Sequence, residues 1–109
     1  MRMMLQVVMP TETSNAAIRS GQFSIFIQKV LADLKPEAAY FTETAGARSG
    51  YIFFDMKDSS ELPAIAEPWF LALNATVSVK PAMTPQDLGG AAGAAIEHAM
   101  KAYPRTLGS

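Results

Sequence analysis

Between Met3 and Met9 the chain is apolar at almost every position: Met3, Leu5, Val7 and Met9 alternate with Met4, Gln6 and Val8 until Pro10 ends the run. A strand covered on both faces reads this way. Thr11 to Asn15 reads as a polar connector, and a short helical turn is expected over 15–20 before Gly21 interrupts it. Phe23, Phe26, Ile27, Val30, Leu31 and Leu34 then recur at steps of three and four, the stripe of an amphipathic helix that stops where Lys35 precedes Pro36. From Glu37 the period changes to two. Ala39, Phe41 and Glu43 alternate with Tyr40, Thr42 and Thr44, and after the Ala45-Gly46 turn a glycine-bracketed stretch runs through Tyr51-Ile52-Phe53-Phe54-Asp55-Met56. This is a hairpin whose second strand belongs at the sheet centre.

Asp58-Ser59-Ser60-Glu61 has capping-box spacing. The helix it opens carries Leu62, Ile65, Ala66, Trp69, Phe70 and Leu73 on one face, with Pro68 expected to kink it. A fourth strand is expected over 75–81, where Val77 and Val79 alternate with Thr76, Ser78 and Lys80. Thr84-Pro85-Gln86-Asp87 marks the start of a last, alanine-rich helix that is expected to run to about Tyr103. Its stretch Gly89 to Ala95 is small enough for close helix packing.

The order β-α-β-β-α-β plus a C-terminal helix predicts a ferredoxin-like α+β fold, a four-stranded antiparallel sheet in the order 4-1-3-2. A short hairpin loop pairs Thr42 with Tyr51 and Tyr40 with Phe53 in this reading. Phe41, Ile52, Phe54, Met56, Val77 and Val79 then face the helices. Tyr40, Thr42, Tyr51, Phe53, Asp55, Gln6, Ser78 and Lys80 share the other face. That face is too apolar for bare solvent. The expectation is a two-fold homodimer, with Gln6, Tyr51, Phe53 and Ser78 in its interface.

Length and composition narrow the class. The 109 residues fit one domain over 1–107, with Gly108-Ser109 read as a non-native tail. Nine basic and ten acidic residues, scattered singly, leave no stripe for nucleic acid. The absence of cysteine removes disulfides, thiol catalysis and thiolate metal sites, and one histidine removes a histidine-rich metal site within one chain. The N-terminal run is short and broken by Gln6, so it reads as a strand and not as a signal or membrane anchor. A cytoplasmic protein is the expectation. No phosphate loop, dinucleotide fingerprint, nucleophile elbow or HExxH motif is present, and no cofactor is called for.

The phrases Pro36-Glu37-Ala38-Ala39-Tyr40-Phe41, Phe54-Asp55-Met56-Lys57-Asp58, Ala66-Glu67-Pro68-Trp69-Phe70 and Met83-Thr84-Pro85-Gln86-Asp87-Leu88 resemble a family of small bacterial proteins of unknown function. That resemblance implies the dimeric α+β barrel group, whose members include cofactor-free monooxygenases, isomerases, haem-degrading enzymes and amino-acid-sensing domains. It implies a fold and carries no activity with it.

Arg48 is a candidate anchor for a carboxylate or phosphate, because a guanidinium offers a planar fork of donors; the competing reading is a solvated turn residue. Asp55 and Glu67 are the candidate catalytic carboxylates, weighed against a hydrogen-bonded or Lys80-paired Asp55 and a solvated Glu67. Glu37 joins Glu67 as a conceivable acid–base pair. Trp69 belongs to the core or lines a cavity with Phe26 or Phe41, and His98 reads as a surface residue. Three functions follow. The first is a homodimer binding a small apolar or carboxylated molecule near Tyr40, Arg48 and Trp69. The second is a cofactor-independent monooxygenase or isomerase, and the third a structural partner subunit without ligand. An apolar cavity with one anchoring charge would favour the binder, a closed pocket of convergent polar groups the enzyme, and a filled core the partner subunit.

Overall fold

The computed structural model describes residues 1–105; the tail reading of 108–109, and the domain's last residues 106–107, lie outside them. Strands β1 (Arg2–Met9), β2 (Ala38–Thr44), β3 (Ala47–Asp55) and β4 (Thr76–Pro81) form one antiparallel sheet in the order β2-β3-β1-β4. Helices α1 (Thr11–Arg19), α2 (Gln22–Leu34) and α3 (Leu62–Leu73) connect them, and α4 (Pro85–Gly89) and α5 (Ala91–Ala102) follow β4. This is the ferredoxin-like arrangement expected from the sequence.

The core lies between the helices and one sheet face. Met3, Leu5, Val7 and Met9 of β1, Ile52 and Phe54 of β3, Met56, and Trp69 and Leu73 of α3 are buried, and Phe23, Phe26, Ile27, Val30, Leu31 and Leu34 of α2 pack on them. The period-two strands place Met4, Gln6, Val8, Tyr51, Phe53 and Ser78 on the opposite face, each half-buried. There the Gln6 amide donates to the Tyr51 hydroxyl at 3.0 Å.

The hairpin register differs from the expected one by two residues: Tyr40 pairs with Tyr51 and Thr42 with Ser49, not Tyr40 with Phe53 and Thr42 with Tyr51. The loop is only Ala45-Gly46, both with positive φ (51° and 83°), a two-residue turn whose twist matches the strands. A two-residue slip preserves parity, so both face assignments survive. Ala45 holds this left-handed conformation with a Cβ that disfavours it. Ala45→Asn is expected to raise the unfolding free energy by about 1 kcal/mol, read as a higher urea midpoint.

Three helical expectations change. The run Thr11 to Asn15 is helix and not connector: α1 begins right after Pro10, and the Ser14 side chain bonds back to the Pro10 carbonyl at 2.9 Å. The last helix is divided at Gly90, with the short α4 opened by a Thr84–Asp87 capping box. Phe70, expected on the core stripe, is 43% exposed, because Trp69 takes the buried position.

Candidate functional site

The sheet and α2 enclose a groove of about 330 Å³ lined by Met9, Phe23, Ile27, Phe41, Arg48 and Ser49, with Thr42 at its side. Among the described residues Arg48 is its only charged lining residue. The groove exists because β2 is an edge strand whose Phe41 ring is not covered: it lies over Gly50, where a Cβ would come within 2.9 Å of the ring. A glycine directly opposite Phe41 therefore lets the aromatic ring rest on backbone.

Arg48, in β3 near the hairpin, points back toward α1. Its Nη1 donates to Ser14 Oγ at 2.7 Å and to Asn15 Oδ1 at 2.8 Å. Ser14 is fully buried, so the guanidinium is oriented by a fixed hydroxyl. Both partners are neutral oxygens, and among the described residues Arg48 makes no ion pair. Its cross-strand neighbour Glu43 instead accepts the Gly46 N–H at 2.8 Å. Three of the five guanidinium N–H groups, those on Nε and Nη2, have no acceptor among the described residues. A half-buried cation with free donors beside an apolar floor is suited to a planar anion.

A second cavity, about 270 Å³, lies between α2, α3 and the far end of β3 and is lined by Val30, Phe54, Asp55, Ile65, Pro68 and Trp69, with Asp33, Leu34, Glu61 and Ala64 completing it. Every charge on this wall is negative, which disfavours an acid. Pro68 has no N–H to offer the Ala64 carbonyl, and both line the cavity. Trp69 is buried and meets Phe26 edge-on, ring centroids 5.1 Å apart.

The sequence-derived site residues are thus divided. Arg48 lines the groove, Trp69 the acidic cavity, and Tyr40, 67% exposed, neither. Asp55 takes the Met1 ammonium at 2.6 Å and not Lys80, and this hydrogen bond and charge hold its carboxyl below the usual carboxylate range. Glu67 is exposed and lines none of these cavities. Glu37 is paired with Arg2 and held low by that hydrogen bond. Sequence reasoning missed Ser14 and Asn15, which lie 34 and 33 residues from Arg48. No spacing signal announces such a contact. Among the described residues no group of His, Asp and Glu could hold a metal ion, and no described helix is long and apolar enough to cross a membrane.

The Arg2–Glu37 pair gives one pH prediction. A carboxyl whose folded pKa is depressed contributes stability above its unfolded pKa, near 4.5, and loses it as pH falls through the folded value. Glu37 is exposed, so the contribution is small. Glu37→Gln is expected to lower neutral stability by a small amount and to flatten the acid limb below about pH 4.5 by that same amount, so that the two curves converge in acid. Urea unfolding across pH checks this.

No protein-family model matches the chain, and no curated protein matches it. Solved structures do. The chain is similar to 5-chloro-2-hydroxyhydroquinone dehydrochlorinase from Burkholderia phenoliruptrix AC1100, solved in complex with 2,5-dihydroxybenzoquinone, at 15% identity and a TM-score of 0.62. The match covers 79% of this chain and 97% of that one. The de novo designed protein Ferredog-Diesel is also similar, at 10% identity over 74% of this chain and 85% of its own, with a TM-score of 0.45. The dehydrochlorinase match shows a ferredoxin-like α+β fold. The family suggested by the sequence phrases stays a resemblance.

Proposed function

We propose that this protein is a homodimer that binds a small apolar acid, with the acid group on Arg48 and the apolar body on Phe23, Ile27 and Phe41. The carrying observation is the half-buried Arg48, oriented by Ser14 and Asn15 and in no ion pair among the described residues, beside a groove whose other described lining residues are uncharged. Anchor and apolar floor together support the reading as a binder. The similar dehydrochlorinase was solved with a small, acidic ring compound, a ligand of the size and polarity this groove would accept. The two carboxylates considered for catalysis support an enzyme less well: Asp55 is ion-paired and Glu67 faces solvent.

The homodimer rests on the open sheet face. Met4, Val8, Tyr51 and Phe53 form an apolar centre there around the Gln6–Tyr51 hydrogen bond, and a second copy of the same face would cover it.

The ligand class is tested by calorimetric titration of the full chain with phenylacetate and with phenylacetamide. The two probes share an apolar body and differ in charge. Phenylacetate is expected to bind at least ~10-fold more tightly, the value of one charge-assisted contact. Equal binding of the two, or binding of neither, would remove Arg48 as the anchor.

A further inference from the structure

The Cα radius of gyration is 18.3 Å and the long axis 58 Å, whereas a compact chain of this length has a radius near roughly 13 Å. The segment after β4 is the part that stands apart from the rest. Helix α5 packs on α4 and makes no substantial contact with the sheet or with α1 to α3. The exit of this segment from the sheet is fixed: the Ala82 N–H bonds to the Arg2 carbonyl at 3.1 Å, and Thr84 and Asp87 cap α4 reciprocally at 3.0 and 3.1 Å.

This arm is amphipathic. Ala92, Ala95, Ile96, Ala99, Met100 and Tyr103 fall on one side at helical spacing, and Glu97, His98 and Lys101 on the other, where Glu97 and Lys101 pair at 3.3 Å. Ile96, Met100 and Tyr103 are 54%, 66% and 79% exposed. The chain exposes 7470 Å² in all, and a compact monomer of 11.7 kDa exposes roughly 5,900 Å². An excess of more than about 1,000 Å² per copy, hidden reciprocally in a two-fold pair, reaches the area range of stable dimers.

We infer that the arm is an exchanged element: α5 of each copy lays its apolar stripe on the body of a second copy of this chain. A second copy fits because the exchange is reciprocal, so one contact hides both arms, and because the arm makes no substantial contact with its own sheet. The exchange goes beyond the sheet-face pairing proposed above and does not require it.

The test uses sedimentation of the full chain, an arm variant Ile96→Glu/Met100→Glu, and a face variant Tyr51→Asp. Both arm positions are exposed and outside the core cluster, and circular dichroism of each variant is the control for a folded body. The inference expects a wild-type dimer whose dissociation constant rises at least ~10-fold in the arm variant, as for loss of central apolar contacts. An unchanged constant in the arm variant overturns arm exchange, and dissociation of the face variant alone would then leave the sheet-face dimer standing. A monomeric wild-type chain at micromolar concentration overturns both.

Discussion

Replacing Trp69 by alanine is expected to lower the unfolding free energy by about 3–5 kcal/mol, a large part of the roughly 5–15 kcal/mol that holds a domain of this size together. Trp69 is 1% exposed and is among the largest fully buried side chains. Its removal deletes a large apolar surface and the edge-on contact with Phe26, worth about 0.5–1.5 kcal/mol beyond area. Relaxation would offset little of the loss. The site sits between α3, α2 and β3, and the β3 side is pinned by antiparallel neighbours on both edges. Trp69→Phe keeps most of the packing and should cost less than half as much. Urea unfolding followed by circular dichroism reads both, and a loss below about 1 kcal/mol for the alanine variant would mean that Trp69 is not a keystone of the helix layer.

The second large effect concerns binding. Arg48→Met keeps a long apolar stem in the groove and removes the charge and all donors. For phenylacetate the dissociation constant is expected to rise about 10- to 100-fold, the range of a charge-assisted hydrogen bond of roughly 1.5–3 kcal/mol. Arg48→Lys should fall between, since an ammonium keeps the charge but not the planar fork. Arg48→Met also removes the two bonds to α1, so a stability loss of about 1–3 kcal/mol is expected, smaller than that of Trp69→Ala because Arg48 sits at the groove and not in the core. A stability loss as large as that of Trp69→Ala, with binding intact, would make Arg48 a structural residue holding α1 to β3.

Much of the fold was legible in the chain because period and turn chemistry agree. The continuous apolar run of β1, the alternation in β2 and the aromatic strand β3 fix which strands are central, and parity fixes their faces even where the register shifts by two residues. The α1 start was hidden by its composition. Thr11, Glu12, Thr13 and Ser14 read as a connector until Thr13 meets the Leu73 carbonyl and Ser14 meets Arg48, contacts with no local trace. The same limit applies to the site. Arg48 and Trp69 were each recognisable as unusual, but a one-dimensional pattern reports the face of an element and not its neighbours, so their separation into two cavities of opposite character emerged only from the fold. The independence of the arm was likewise invisible: an alanine-rich amphipathic helix has the same pattern whether its stripe meets its own sheet or another chain.

The central claim, a small acid bound at Arg48, is tested most directly by two-dimensional NMR of the isotopically labelled full chain during addition of phenylacetate. The expected result is saturable shifts confined to Met9, Phe23, Ile27, Phe41, Arg48 and the α1 residues Ser14 and Asn15, lost in Arg48→Met. Shifts centred instead on Val30, Ile65 and Trp69, or no saturable shifts at all, would contradict it.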